Sequence, residues 1–328
     1  MFDVVVIGGG PAGLSAALML GRCRRRVLLC DLGEPRNRRS RALHGYLTRD
    51  GIAPRELNDL GRRELAAYDV EFRSVGVIDA RPIGNSYRVT LANGGEEDAR
   101  FVLIATGVVD DLPGVSGFDA CYGRSVFHCP YCDGWEWRDR RLAAFGAGAE
   151  AVGLALGLKT WSADVIVLTN GVPLDRRLHT GLARHLIDVR TTRADRLEHD
   201  DGALRAIVFE DATTLERDAL FFTTGQHPQS HLAVRLGCEL TARGTVKTGS
   251  LSDTNVRGVF VAGDASRDAQ FAVVAASEGV KAAVAINKAL QADALARPRR
   301  TRAGRSGRAP AAEASTDLPA AERARERS

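Results

Sequence analysis

The chain opens on an unbroken apolar run, Val4–Ile7, closed by glycines, the pattern of a strand buried on both faces. Residues 13–22 carry Leu and Ala at helical spacing, and Val27–Cys30 is a second apolar run ending at Asp31. Together they predict a βαβ unit. Arg55–Ala67 has the spacing of an amphipathic helix. Residues 70–79 and 86–92 read as strands around a turn at Gly84-Asn85, and Phe101–Ala105 as a buried strand before Thr106-Gly107. The pattern restarts at Arg141, with a strand at Leu142–Phe145, a small-residue helix at 149–158 and a strand at Val165–Leu168. Further strands are expected at 187–190, 205–209 and 219–223, then a buried strand at Val259–Ala262 and a long Ala/Val-rich helix over 270–290.

Two such units in one chain predict an α/β protein with two Rossmann-like nucleotide-binding domains. The 328 residues suffice for two cores, and 45% hydrophobic with 26% charged residues is ordinary for a globular protein. The net charge of +4 does not mark a nucleic-acid-binding face. Residues 297–328 hold nine Arg against four acids, a net +5, which leaves −1 for the rest of the chain. That segment has almost no large apolar residues, so 296–328 is expected to be a disordered basic tail. It also lacks aromatics to stack bases, and no nucleic-acid partner is expected. Met1 leads straight into the first strand, and no apolar run reaches the ~18 residues needed to span a bilayer. The expectation is a cytoplasmic protein without a membrane partner. Of six cysteines, only Cys129 and Cys132 have motif spacing; Cys23, Cys30, Cys121 and Cys238 read as core thiols.

Gly8-Gly9-Gly10-Pro11-Ala12-Gly13 fits G-x-G-x-x-G. Gly8 permits the turn off the strand, Gly10 lets backbone approach a pyrophosphate, and Gly13 lets the helix pack close. The helix N-terminus then offers N–H groups to the anion. Asp31, 18 residues after Gly13, is placed to accept hydrogen bonds from an adenosine ribose. A second glycine turn, Gly146-Ala147-Gly148-Ala149-Glu150-Ala151, has the form G-x-G-x-x-A and is a second candidate pyrophosphate site through Gly146 and Gly148.

His128-Cys129-Pro130-Tyr131-Cys132-Asp133-Gly134 contains C-x-x-C. Two cysteines at this spacing on a helix start can close a disulfide ring, the helix end lowers the thiolate pKa, and the following acid can move the proton that exchange requires. Zinc would take four ligands, and only one C-x-x-C is present, with His128 and Cys121 at poor spacing for it. Inert core cysteines leave the adjacent Pro and Asp unexplained. Redox catalysis accounts for all of these residues.

The segments Leu103-Ile-Ala-Thr-Gly107 and Val259-Phe-Val-Ala-Gly-Asp264 resemble the FAD-contacting segments of the flavoprotein disulfide reductases. With the glycine motif and C-x-x-C-D-G between two nucleotide-like units, residues 1–292 resemble the low-molecular-weight thioredoxin reductases. The resemblance implies an FAD domain made of 1–112 and 241–295, interrupted by an NAD(P)-like domain at 113–240 that carries the dithiol. It implies FAD contacts at Ala105, Thr106, Gly107, Gly263 and Asp264, and at Gln270 and Phe271, where the last helix begins. It also implies that Cys132 faces the flavin, Cys129 meets substrate, Asp133 is the acid/base, and the protein is a homodimer. NADPH is the donor in that family, held by a His-Arg-Arg cluster after the second unit's second strand. Here Thr169-Asn170-Gly171 stands at that position, with Arg176 and Arg177 later. Cys-Pro-Tyr-Cys followed by Gly-Trp-Glu, with Gly33-Glu-Pro-Arg36-Asn37, is similar to a subgroup of FAD-dependent dithiol oxidases that close disulfides in natural products such as gliotoxin and holomycin. Arg36 and Asn37 are further cofactor candidates on that likeness. His44 and His128 are candidate bases or hydrogen-bonded structural histidines. Three functions stay open: reduction of a protein disulfide with NAD(P)H as donor, O₂-dependent oxidation of a small-molecule dithiol, and a non-catalytic flavin-bound redox sensor.

Overall fold

The computed structural model describes residues 1–296 apart from 224, 243, 267 and 268; the expected tail beyond Ala296 lies outside the described residues. The first unit opens with β1 (Phe2–Ile7), α1 (Pro11–Arg22), β2 (Val27–Cys30), α2 (Pro54–Leu65), β3 (Val70–Arg73), β4 (Val77–Ile83), β5 (Ser86–Leu91) and β6 (Glu96–Ile104). β7 (Val108–Asp110) leads into the second unit: α3 (Phe118–Cys121), β8 (Val126–Phe127), α4 (Pro130–Asp133), β9 (Leu142–Phe145), α5 (Gly148–Leu158), β10 (Val165–Leu168), α6 (Arg176–Ala183), β11 (Asp188–Arg190), β12 (Ala194–Asp200), β13 (Ala203–Phe209), β14 (Thr214–Glu216) and β15 (Ala219–Phe222). β16 (Gln226–Pro228) returns the chain to the first unit, which ends with α7 (Leu232–Arg235), β17 (Val259–Val261) and α8 (Ala272–Ala296).

The first sheet runs β3-β2-β1-β6-β5-β4, with β17 added parallel to β6. β1 lies between β2 and β6, both parallel to it, and Val4, Val5 and Val6 are fully buried, as the unbroken apolar run requires. The second sheet, β11-β10-β9-β15-β8, is parallel throughout. The fold is therefore α/β with two Rossmann-like units, the first of them discontinuous in sequence.

Three expectations change in detail. The strand expected over 70–79 is two strands, because β3 pairs parallel with β2 whereas β4 pairs antiparallel with β5. The chain must change neighbours between them. The strand expected at 205–209 is the middle of a small antiparallel sheet, β12-β13-β14. The chain also rejoins the first unit before residue 240. Leu232, Ala233 and Cys238 pack in one cluster with Val5, Leu28 and Val102 of the first sheet.

β7 and β16, the two crossings between the units, pair antiparallel with Asp110 opposite Gln226. Among the described residues no helix is long and apolar enough to cross a membrane.

Candidate functional site

A cavity of about 310 Å³ opens at the carboxyl ends of β1, β2, β6 and β17, where parallel α/β sheets bind ligands. Its wall includes Gly8, Gly10, Pro11 and Ala12 from the glycine turn, Asp31 after β2, and Arg36 and Asn37 from the following loop. Ala105, Thr106 and Gly107 after β6, Gly263 and Asp264 after β17, and Gln270 and Phe271 before α8 complete the first unit's share. Gly13 sits behind the wall: a Cβ there would overlap the Gly8 carbonyl oxygen, so its role is the close fit of α1 on the turn. A Cβ on Gly10 would meet nothing within 4 Å, and α1 has no side-chain cap. The first amides of α1 are left for an anion.

The Asp31 carboxylate accepts from the Gly9 amide (2.9 Å) and from Arg62 Nη2 on α2 (2.7 Å). Arg62 was not expected at this site. Glu278, a buried acid on the Ala/Val-rich α8, was also missed. Its Oε2 accepts from the Gly263 amide at 2.8 Å and so fixes the turn that presents Asp264.

The second unit contributes His128, Cys132 and Asp133 to the same cavity. Cys129 and Cys132 form a disulfide with Cα atoms 5.3 Å apart. Cys129 is the N-cap of the one-turn helix α4, with Pro130 at its first position. Cys132 is in the cavity wall and Cys129 is not. Burial pushes the Asp133 carboxyl up to about 7, with the nearby Glu136 charge raising it further and His44 opposing. His44, on the loop before α2, stands with Nε2 3.5 Å from Glu136 Oε1 and Nδ1 3.6 Å from Asp50 Oδ2. It bridges the two units at the dithiol.

Arg36 ties the cavity to the crossing strands. Its Nε donates to Asp110 Oδ2 at 2.8 Å, its Nη2 donates to Asp110 Oδ1, and its Nη1 donates to Asp264 at 3.2 Å and to Gln270. Tyr122 donates its hydroxyl to Asp110 and stands 3.4 Å from His128 Nδ1. Burial raises the Asp110 carboxyl, but the Arg36 hydrogen bonds and Tyr122 more than offset it, and its pKa lies below the ordinary value. Burial, reinforced by the Arg36 charge, pushes His128 down to about 4, so it is neutral near pH 7. Burial raises Asp264, with Arg36 opposing. Asp110 and Tyr122 carried no motif in the sequence. Only the strand pairing that makes Asp110 part of a crossing singles them out.

Gly146 and Gly148 lie apart from this cavity, at the β9–α5 turn. Gly148 has φ +60° with open space beyond its Cα, and α5 lacks a side-chain cap, which suits a phosphate. The turn after β10 differs from an arginine cradle. Thr169 is buried, Asn170 Oδ1 accepts from the Ala194 amide (2.9 Å), and Arg193 packs against Gly171. Arg176 and Arg177 form the first turn of α6.

A parallel sheet with a glycine turn, and a dithiol against the same cavity, define a dinucleotide-binding disulfide oxidoreductase. Residues 2–279 match the pyridine nucleotide-disulphide oxidoreductase family, and the chain belongs to it. A probable thioredoxin reductase from Arthroderma benhamiae is 31% identical over 325 residues, covering 88% of this chain and 80% of that protein. Thioredoxin reductase sirT from Leptosphaeria maculans is 31% identical, covering 90% and 97%. The crystal structure of HlmI superposes with a TM-score of 0.87 at 36% identity, covering 90% of this chain and 94% of that one. A putative thioredoxin reductase TrxB from Bacillus anthracis gives 0.86 at 32%, covering 90% and 100%. The protein is thus a thioredoxin reductase-like enzyme, and FAD and NADPH are the cofactors of its kind. The residues fit FAD: the uncapped α1 amides, the open side of Gly10 and the polar residues after β2 and β17 all meet in one cavity.

Proposed function

We propose that this chain is an FAD-dependent thiol–disulfide oxidoreductase in which Cys132 exchanges electrons with the flavin and Cys129 with the substrate. The observation that carries the reading is the asymmetry of the pair: Cys132 is in the wall of the cavity that holds the glycine turn, and Cys129 is outside it. On this reading the Gly8–Gly13 turn holds the pyrophosphate, Asp31 the adenosine ribose, and Arg36, Asn37, Ala105–Gly107, Gly263, Asp264, Gln270 and Phe271 the remainder of FAD. Residues 1–112, with those from β16 to 295, act as the FAD domain and the intervening residues as the dithiol domain of a cytoplasmic homodimer. Bound FAD supplies the two-electron carrier that the dithiol needs between turnovers.

The chain's own part is thiol–disulfide exchange. In the oxidative direction a substrate thiolate attacks Cys129 Sγ, the Cys129–Cys132 bond breaks, and Cys132 leaves as thiolate. The second substrate thiolate then attacks the substrate sulfur of the mixed disulfide and releases Cys129. Two electrons enter the pair and one substrate disulfide forms; the two protons lost as the substrate thiols ionise end on the Cys129 and Cys132 thiolates or on a nearby base. The reverse sequence reduces a disulfide. Asp133, half-buried next to Cys132 and with its carboxyl raised to about 7, is the group suited to hold or return one of those protons. His128, half-buried and neutral near pH 7, is the second candidate.

A second reading concerns only direction. The turn after β10 presents Thr169-Asn170-Gly171 rather than arginines, and this favours a small-molecule dithiol as donor and O₂ as acceptor over NADPH feeding a protein disulfide. Anaerobic addition of dithiothreitol to the yellow holoprotein is expected to bleach the flavin, and air to restore it. A Cys129→Ser protein is expected to show the long-wavelength absorbance of a thiolate against flavin. If that band arises only in Cys132→Ser, the inner and outer roles are reversed. A flavin that no dithiol bleaches overturns the enzyme reading in favour of a redox sensor.

A further inference from the structure

The chain crosses between the two units at β7 and β16, and one buried carboxylate on β7 is gripped from both sides. Asp110 is 5% exposed at its side chain and Arg36 is 13% exposed. From the first unit, Arg36 makes a forked pair with Asp110 and spends its remaining nitrogen on Asp264 and Gln270. From the second unit, Tyr122 donates to the same carboxylate and reaches on to His128, the residue before the dithiol. The other crossing is caught as well, since Gln270 Nε2 donates to Gln226 Oε1 on β16 at 2.6 Å. Seven residues from both units and both crossings therefore share one hydrogen-bond network, and Arg36, Tyr122, His128, Asp264 and Gln270 among them line the cavity into which Cys132 faces.

We propose that Asp110 is a positioning residue: through Arg36 and Tyr122 it locks the dithiol-bearing unit in the orientation that seats Cys132 in the cavity. The physical reasons are geometry and burial. A short crossing of three residues is where a change of φ and ψ would swing the second unit most cheaply. A forked Arg–carboxylate pair fixes direction as well as distance. Removing one partner of a buried pair leaves the other without compensation, so the seated arrangement depends on the whole network. Asp110 touches neither sulfur and acts on the reaction only through Tyr122 and the crossing. The inference rests on the same cavity as the proposed function, but not on turnover.

The test uses holoprotein with FAD bound and two variants, Asp110→Asn and Tyr122→Phe. The first keeps the shape of the side chain and removes the charge that Arg36 grips; the second keeps the ion pair and cuts only the tie to the second unit. Hydrogen–deuterium exchange is expected to quicken in the 126–134 and 39–44 segments, both of which contribute residues to the cavity wall. The rise should be roughly tenfold for Asp110→Asn, the scale of losing one charged hydrogen bond, and smaller for Tyr122→Phe. Exchange in β1 and β9, the two sheet cores, should not change. The rate of flavin bleaching by dithiothreitol should fall by a similar factor, with its dependence on dithiothreitol concentration unchanged. Unchanged exchange at 126–134 in both variants overturns the lock. So does a uniform rise that includes β1 and β9, because that is loss of stability rather than of seating. If dithiothreitol bleaches neither the parent nor the variants, the proposed function falls while the exchange data still decide the lock.

Discussion

At the scale of single residues the proposed chemistry turns on Asp133. Its carboxyl is raised from the ordinary 3.8 to about 7 by burial, with Glu136 adding to the rise and His44 opposing it. The folded chain therefore holds a proton between pH ~4 and ~7 that the unfolded chain has lost. Stability from this group falls as pH rises through that window, and the deficit persists above it. Asp133→Asn removes the buried charge, so its melting temperature should exceed the parent's at pH 8 and converge with it near pH 4. Its dithiol-driven flavin reduction should drop roughly a hundredfold, the scale of losing one acid–base group. The neighbours should move the kinetic pKa in opposite directions: Glu136→Gln down, His44→Ala up. A pH–rate profile that shifts the same way in both variants refutes this account of the site. The dithiol and its acid were legible because they are contiguous in sequence. Glu136 and His44 were not legible as a pair, since 92 residues separate them and only the packing of the two units brings them to 3.5 Å.

At the scale of elements the cofactor cavity depends on how closely helices sit on the first turn. Gly13 was readable from G-x-G-x-x-G. Gly279 was not, because its partner is remote: a Cβ there would overlap the Ala12 carbonyl oxygen, on α1. α8 thus presses on the opening turn from behind, while Glu278 one residue earlier holds the Gly263 amide. Gly279→Ala should push α8 off α1 at a cost of about 1–3 kcal/mol, the usual range for an overpacked core. The measurable result is a protein purified with clearly less FAD than the parent and a lower melting temperature, although residue 279 is not itself part of the cavity wall. FAD content equal to the parent's would show that the helix shifts freely. Apolar runs made β1, β2, β9, β10 and β17 legible, since strands buried on both faces leave an uninterrupted signal. The break between β3 and β4 left none, and neither did β12 and β14, the outer strands beside the legible β13. Those strands are half exposed, and their boundaries follow from which neighbour each one pairs with.

At the scale of the whole molecule the two ends of the proposed electron path are built unequally. The first glycine turn opens onto a cavity that gathers residues from both units, with ion pairs fixing Asp31, Asp110 and Asp264. The second turn keeps Gly146, Gly148 and an uncapped α5, but the loop after β10 is occupied by its own side chains. A 2′-phosphate there would find Asn170 already bonded to Ala194, while Arg190 is committed to Asp211 and stacked on Phe209. One charged hydrogen bond to a phosphate contributes about 1.5–3 kcal/mol, roughly tenfold or more in affinity, and a cradle of several gives strong selection for NADPH over NADH. Without such a cradle the two dinucleotides should reduce the flavin at similar rates, within about tenfold of each other. Both should be slower than a small dithiol at equal concentration. Anaerobic stopped-flow with NADPH, NADH and dithiothreitol in parallel measures all three. A hundredfold preference for NADPH would mean that Arg176, Arg177 or Arg193 reaches the phosphate from outside the loop, and would return the molecule to the reductive direction. Equal and slow dinucleotide rates beside a fast dithiol rate would make the dithiol the physiological source of electrons.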